Sequence, residues 1–264
     1  IPFGGVVCAL VLHPLIGKWA KFNFKQSFLF CSLGYATHPF LDAFTSYGTM
    51  LFWPFSDARI SWNAISIIDP IFSLPLFILV ILTGIKKRPN YARIALIWAG
   101  LYLSLGLIQH DNAIEMGKQV AKNRGHKFSR VDAKPSFANI LVWKVIYDTS
   151  SHFHVDAVRT GISARFFEGT SLPKLDLAAD FPWLNSIGQQ ARDVERFRWF
   201  SDGYLAQDPK NSNRIIDVRY SMLPNEVRPL WSIELSGSAS LNQHIKYITN
   251  HDQISISFEK LMRM

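Results

Sequence analysis

The sequence predicts an α-helical membrane domain of about four spans, followed by a soluble α+β domain. Two observations predict this division. Apolar stretches of about 17 to 20 residues, the length that crosses a bilayer core, fill the first part of the chain; they are residues 1–17, 26–45, 66–84 and 91–109. Acidic residues are also unevenly spread, with three before residue 110 and 17 from there onward. We therefore predict a transmembrane domain at residues 1–110 and an extracytoplasmic α+β domain at residues 111–264.

The first apolar stretch begins at Ile1 rather than at Met, so we expect further sequence upstream and a membrane domain that is truncated at its N-terminus. No basic region precedes this stretch, which argues against a signal peptide. Cys8 and Cys31, the two cysteines of the sequence, both lie in apolar stretches. We interpret them as packing residues.

Basic residues mark two short connections between the apolar stretches. Seven of the eight Lys and Arg residues before residue 110 lie in or beside them: Lys18, Lys21, Lys25, Lys86, Lys87, Arg88 and Arg93. Basic residues in short loops are typical of the cytoplasmic side of a membrane. We therefore interpret the net charge of +8 as a topology signal and predict no nucleic-acid partner. This orientation places the C-terminal domain outside the membrane, which in a bacterium is the periplasm.

The second apolar stretch contains an ionisable pair, His38 and Asp42. Ionisable groups inside membrane spans are costly and usually functional. A spacing of four places both side chains on one helix face, and an imidazole with a carboxylate suits a divalent metal, with zinc favoured. The alternative is a pair that bonds internally and stabilises helix packing. Pro39 disfavours helical geometry at His38, so we expect a kink or a helix start there.

With both basic connections in the cytoplasm, His38, Asp42, Asp69 and His110 fall near the outer ends of their spans. We therefore predict that these four residues converge as metal ligands. Thr45 either shapes the turn that ends the helix or also bonds to one of the ligands. Asp69 has an alternative role as the N-cap of a helix that begins at Pro70. The alternative for His110 is an interfacial histidine without a partner.

The residues around this pair resemble a known family. Residues 37–48 (Thr37 to Gly48) and the following Leu51-Phe52-Trp53-Pro54 look like the second motif of the YdjM-type family, and we call residues 37–54 the motif segment. Further similar positions are Ile68, Asp69, Pro70, Gln109, His110, Pro135, Asn139 and Trp143. Members are bacterial inner-membrane proteins described as predicted metal-dependent hydrolases. The resemblance implies kinship with zinc-dependent phospholipases C and hence phosphoester hydrolysis. The family's first motif is absent, which fits a chain truncated before Ile1.

The C-terminal domain is predicted to begin with a helix at residues 111–125. Strand-like runs follow at residues 139–147, 153–159, 215–222 and 230–235, and apolar residues at helical spacing lie at residues 184–197. His152, His154 and Asp156 form an HxHxD pattern similar to the metallo-β-lactamase motif. The alternative that we favour is a solvated strand face, because strand residues two apart share a face. The basic and aromatic segment at residues 192–199 fits either lipid headgroups or an amphipathic helix of the domain.

Two functions follow from these patterns. The first is a membrane-bound metal-dependent hydrolase that acts on a phosphoester, such as a lipid headgroup or a small-molecule substrate. The second is a non-catalytic membrane protein whose C-terminal domain binds a partner in the cell envelope. In that case His38 and Asp42 form a structural pair or a proton relay.

Overall fold

The computed structural model describes residues 2–17, 19–249 and 254–264. The N-terminal part is helical, with α1 (Pro2–Leu12), a π-helical turn (His13–Gly17), α2 (Phe24–Ala43), α3 (Pro70–Lys86) and α4 (Pro89–Asn123). Lys18, a basic residue of the first connection, lies outside the described residues. Helix α2 begins with a capping box, in which Asn23 and Gln26 each accept the backbone N–H of the other.

Among the described residues, one helix is long and apolar enough to cross a membrane, and this is α4. The apolar helices Phe3–Gly17 and Pro70–Lys86 are shorter. The 17 residues of α3 rise about 25 Å, which is less than a typical hydrocarbon core. Helix α2 has 20 residues, but polar side chains such as Lys25, His38 and Asp42 interrupt it. The structure thus supports a helical N-terminal part with one span-capable helix, and does not support the four predicted spans.

Small residues allow α1 to pack closely against α2. A Cβ atom at Gly5 would lie 2.2 Å from the Ser32 hydroxyl oxygen, and Ala9 is fully buried. Near the turn, His13 Nδ1 and Ser27 Oγ lie 2.9 Å apart. Small residues at the contact and hydrogen bonds between helices are typical of helix pairing in membranes. Helices α1 and α2 therefore form one hairpin.

Helix α4 continues from the membrane half into the C-terminal domain. Its 35 residues rise about 52 Å. The residues buried along it are mostly small: Ala95, Tyr102, Gly106, Gln109, Ala113, Gly117 and Ala121. The first half packs against α3, and the second half packs across the sheet of the C-terminal domain. The fourth apolar stretch and the helix predicted at residues 111–125 are therefore one helix that crosses residue 110 without a break.

The C-terminal domain contains two antiparallel sheets. The first has the order β1 (Arg130–Pro135), β2 (Val142–Asp148), β3 (His152–Arg159) and β4 (Arg165–Pro173). The second has the order β5 (Leu205–Asp208), β6 (Asn211–Asp217), β7 (Trp231–Glu234) and β8 (Lys246–Thr249). Helices α5 (Leu177–Asp180) and α6 (Gln189–Phe200) lie between the sheets in sequence, and α7 (Ile254–Met262) ends the chain.

The elements of this domain stack in four layers. Helix α4 covers one face of the first sheet. On the opposite face, Ile146 and Val155 share a core with Ala206 and Ile216 of the second sheet. Helix α6 covers the outer face of the second sheet through Val194, which packs with residues of β5, β6 and β7. The order of layers is therefore α4, first sheet, second sheet and α6.

The predicted strands match the observed ones in part. Strands β2, β3 and β7 lie within or near the predicted runs, whereas β6 ends at Asp217 rather than continuing to residue 222. Strands β1, β4, β5 and β8 were not predicted. Most side chains of β4 are exposed or half-buried, so this strand lacks the apolar alternation by which a half-buried strand is recognised.

A lysine is buried between the two sheets. Lys144 of β2 is 3% exposed, and its Nζ donates to Ser221 Oγ and to the Glu226 carbonyl oxygen, both at 2.8 Å. No described carboxylate forms an ion pair with this ammonium group. Burial lowers the pKa of Lys144 to about 7, because the charged form is removed from water.

Gly106 lies where the connection between α2 and α3 touches α4. A Cβ atom there would lie 2.3 Å from the Ala64 carbonyl oxygen. We predict that Gly106→Ala destabilises the protein by about 1–3 kcal/mol, as overpacking does, and lowers its melting temperature in detergent. Gly100→Ala is the control, because this position of the same helix is open and alanine favours the helix. Equal melting temperatures of the two variants would contradict the assigned contact.

The buried lysine makes stability depend on pH. The pKa of Lys144 is about 7 in the folded protein against an ordinary value of 10.5, so between these values the unfolded chain binds more protons. The contribution of this group to stability therefore rises as pH increases from about 7 to about 10.5. We predict that Lys144→Met raises the melting temperature more at pH 6.5 than at pH 10. Lys127→Met, at an exposed position, should show no such difference; the same pH dependence in both variants would refute the prediction.

Candidate functional site

The motif segment ends helix α2 and begins a folded connection, residues 44–69. The Thr45 hydroxyl donates to the Asp42 carbonyl oxygen at 2.8 Å, which satisfies one of the free carbonyl groups at the helix end. Gly48 has a φ of +69°, and a Cβ atom there would lie 2.7 Å from the Ile60 carbonyl oxygen. Glycine fits here because it adopts positive φ without strain and leaves room for the opposite backbone.

Aromatic packing holds this connection against the helices. The rings of Phe44 and Trp62 meet edge to face, with centroids 4.6 Å apart. Phe44 and Ile65 belong to one buried cluster with Phe72 of α3 and Tyr102 of α4. The connection is therefore part of the core and positions the residues around the end of α2.

His38 and Asp42 lie on one face of α2, as the spacing predicts. His38 Nε2 and Asp42 Oδ2 are 3.5 Å apart, and their side chains are 78% and 46% exposed. Helix α2 runs unbroken through Pro39, so no helix starts at that point. Both side chains are thus accessible, and each faces the other.

A cavity of about 270 Å³ lies beside Asp42 and is also lined by Thr45, Tyr47 and Asp69. We call it the motif pocket. Asp42 from α2 and Asp69 from the start of α3 therefore face a common space. Two of the predicted ligands and Thr45 thus surround this pocket, and His38 adjoins it through Asp42.

Asp69 is occupied by contacts within the protein. Its Oδ1 accepts the backbone N–H groups of Ile71 and Phe72 at 3.1 and 3.2 Å, and its Oδ2 accepts the Tyr102 hydroxyl at 2.8 Å. The residue is 2% exposed. The structure therefore places Asp69 as the N-cap of α3, the alternative that the sequence left open.

His110 lies apart from the motif pocket. Its Nδ1 is 3.3 Å from Asp111 Oδ1, and its ring meets Trp143 of β2 edge to face, with centroids 5.8 Å apart. Its Nε2 is buried without a hydrogen-bond partner among the described residues. His110 thus sits at the junction of α4 and the first sheet.

The donor set for a metal is incomplete in the described part of the chain. No group of three or more His, Cys, Asp and Glu residues there is arranged to hold a metal ion. A catalytic zinc site normally has three protein ligands and a water, whereas the end of α2 supplies His38 and Asp42. The four predicted ligands do not meet in one cluster. The residues present therefore fit part of a zinc site, not a whole one.

The HxHxD pattern lies within strand β3 and faces α4. Arg124, just after α4, binds both carboxylate oxygens of Asp156 at 2.6 and 3.1 Å. The ring of His154 stacks on Tyr147, with centroids 4.7 Å apart, and lies 4.5 Å from the ring of His126. His152 and His154 are half-buried and Asp156 is buried, so this is not the open strand face that we favoured, and no metal-binding group is found there among the described residues.

A larger cavity, which the sequence did not predict, lies between residues 46–63 of the connection and the C-terminal domain. Its volume is about 810 Å³. Five basic residues line it: Arg59, Arg130, Lys134, Arg198 and Arg219. Tyr47 lines both this cavity and the motif pocket. We call it the basic cavity.

The contacts of Asp69 and Asp42 predict different effects on stability. Asp69→Ala removes a helix N-cap and leaves the buried Tyr102 hydroxyl without its partner, so we predict a loss of about 2–4 kcal/mol. Asp42→Asn should change stability little, because this carboxylate is half-exposed and its interaction with His38 is long. Thermal unfolding in detergent measures both. A similar loss in the two variants would contradict the roles assigned to them.

Comparison with known proteins identifies the membrane half of the chain. Residues 3–113 match a family model described as YdjM inner membrane protein, and this range includes the motif segment, Asp69 and His110. No curated protein and no solved structure gives a significant match. The match ends within α4, so the resemblance of Pro135, Asn139 and Trp143 to the family stays a prediction. Residues 3–113 are thus similar to the YdjM family of inner membrane proteins.

Proposed function

We propose that this protein is a multi-pass inner-membrane hydrolase that acts on a phosphoester, with a lipid headgroup as the substrate class. The observation that carries the proposal is the His38–Asp42 pair, whose Nε2 and Oδ2 atoms face each other at 3.5 Å beside the motif pocket. An imidazole next to a carboxylate is costly to keep within a membrane span without a function. The family match supports the inner-membrane location.

The orientation is part of this proposal. The basic residues after α1 and α3 lie on the cytoplasmic side, which places the connection at residues 44–69 and the C-terminal domain at residues 111–264 in the periplasm. In this proposal the shorter helices α1 and α3 also cross the membrane together with α2 and α4, since a bilayer thins locally around a short apolar helix. The motif pocket then opens near the outer surface, where headgroups lie.

A divalent metal, with zinc favoured, would bind at His38 and Asp42. Such an ion activates water or polarises a phosphoryl oxygen. The described residues include no group of three or more donors arranged around such an ion, so the site would need at least one further ligand. In this proposal Thr45 fixes the end of α2, and Asp69 forms the wall of the pocket opposite Asp42 while it caps α3. His110 was expected to assist, and its place at the sheet junction leaves it outside the proposed site.

The second candidate is a non-catalytic membrane protein whose C-terminal domain binds a partner in the cell envelope. Two observations favour it. The donor set around the motif pocket is incomplete, and the larger of the two cavities described above belongs mainly to the C-terminal domain. In that function His38 and Asp42 form a structural pair.

Metal content distinguishes the two functions. We predict that the purified full chain binds about one equivalent of zinc or manganese, measured by elemental analysis, and that His38→Ala and Asp42→Asn each lose it. His152→Ala and Glu115→Gln, which change side chains outside the motif pocket, are the matched controls and should keep it.

A folded wild-type protein that binds no metal would reject the hydrolase in favour of the binding protein. Metal that remains in both α2 variants would place any metal site elsewhere. Hydrolysis of p-nitrophenyl phosphate esters, assayed with the metal-loaded protein, then tests the reaction class.

A further inference from the structure

The basic cavity joins the motif segment to the C-terminal domain. The Tyr220 hydroxyl donates to the Ser46 carbonyl oxygen at 2.7 Å, and Lys134 Nζ donates to Asn63 Oδ1 at 2.9 Å. These bonds hold the connection and the domain on opposite walls. The volume of about 810 Å³ lies in the range of small-molecule sites. The cavity is thus a built feature with walls from both parts of the chain.

Four of its five basic side chains already have acidic partners. Arg130 pairs with Asp202 at 3.4 Å and with Asp148 at 3.6 Å. The other three pairs are Lys134 with Asp132 at 2.9 Å, Arg198 with Glu195 at 3.2 Å, and Arg219 with Asp217 at 2.8 Å. Three of these acidic partners (Asp132, Glu195 and Asp202) also line the cavity, as does Asp57, which forms no ion pair with a described residue. The pairs neutralise most of the positive charge of the walls.

Arg59 differs from the other four basic residues, because no described carboxylate forms an ion pair with it. Its guanidinium donates to the Phe200 carbonyl oxygen at 2.6 Å and lies 5.2 Å from the ring centroids of Trp199 and Phe200. Burial and the neighbouring Arg219 lower the pKa of Arg59. A half-buried arginine held by a carbonyl and two rings keeps donors available for an anion.

Two hydroxyl groups of the walls also lack partners. Ser46 is 8% exposed and Tyr204 is 1% exposed, and both residues line the cavity. Neither Ser46 Oγ nor the Tyr204 hydroxyl has a hydrogen-bond partner among the described residues. Buried polar groups are nearly always bonded. Both oxygen atoms lie just beneath the surface of the wall, so they can donate to a ligand in the cavity after a small movement of the wall.

We propose that the basic cavity binds a phosphate-bearing ligand. Arg59 contacts the phosphate group, since its planar guanidinium matches two phosphate oxygens, and the hydroxyl groups of Ser46 and Tyr204 donate to it. The ligand is the headgroup of an anionic lipid or a soluble phosphate ester, because both present the same group. This inference does not rest on the proposed hydrolase, since it needs neither His38 nor Asp42 nor a metal.

The test uses the full chain, purified in a zwitterionic detergent and freed of metal with a chelator. Inorganic phosphate is titrated by calorimetry, and nanodiscs of phosphatidylglycerol or phosphatidylcholine are compared in a second arm. We expect saturable binding in at least one arm, with phosphatidylglycerol preferred over phosphatidylcholine. Binding of inorganic phosphate points to a soluble ester, whereas preference for phosphatidylglycerol alone points to a lipid headgroup.

Arg59→Gln should weaken binding about tenfold or more, since hydrogen bonds to charged groups are strong. Arg196→Gln is the matched control, because Arg196 is an exposed arginine of α6 outside this cavity. Tyr204→Phe is a second test that removes only a hydroxyl without a partner; it should weaken binding several-fold while the melting temperature stays the same or rises.

Two results would overturn the proposal. One is the absence of saturable binding in both arms. The other is wild-type affinity in folded Arg59→Gln or, if that variant does not fold, in Tyr204→Phe. Loss of metal or of hydrolysis in the His38 and Asp42 variants leaves this result unaffected, so the two proposals fail separately.

Discussion

Helix α4 is one continuous helix that packs against the connection after α2 and against the first sheet. The arrangement of the whole chain depends on these two contacts. Gly106 admits the Ala64 carbonyl oxygen of the connection, and a Cβ atom at Gly117 would lie 2.4 Å from Val145 Cγ1 of the first sheet. These two contacts are eleven residues apart on one helix, which corresponds to about 16 Å. Helix α4 therefore holds the connection after α2 and the first sheet at a fixed distance from each other. Without small residues at these points, one of the two surfaces would have to move away.

This fixed distance explains why the motif segment lies between two cavities. The end of α2 and the following connection pack against α3 and α4 and also contact the C-terminal domain. The motif pocket lies on one side of Tyr47 and the basic cavity on the other. The residues by which the family is recognised thus form a wall between the helical part and the domain, and they are not confined to the helix bundle.

Short sequence patterns predicted those parts of the site that depend on residues close together in the sequence. The spacing of His38 and Asp42 was sufficient to place them on one helix face, and the Asp69-Pro70 pair pointed to a helix N-cap. The expected convergence of His110 with the other three residues did not follow from such a pattern, because an equal depth in the membrane does not fix the position of a residue around the bundle. The basic cavity could not be predicted from local patterns either. Arg59 and Trp199 are 140 positions apart in the sequence, and only the fold brings them together.

The two cavities differ in electrostatic character, and this limits how they can work together. The motif pocket is lined by Asp42 and Asp69, and carboxylates repel a phosphate group when they are charged and only partly screened. The basic cavity is lined by five cations and by four carboxylates (Asp57, Asp132, Glu195 and Asp202), and Arg59 has no acidic partner among the described residues. A phosphoester therefore gains from Arg59 but is repelled by Asp42 unless a cation balances that carboxylate. Anion binding in the basic cavity can consequently occur alone, whereas phosphoester hydrolysis at the motif pocket requires a positive charge that His38, when neutral, does not supply.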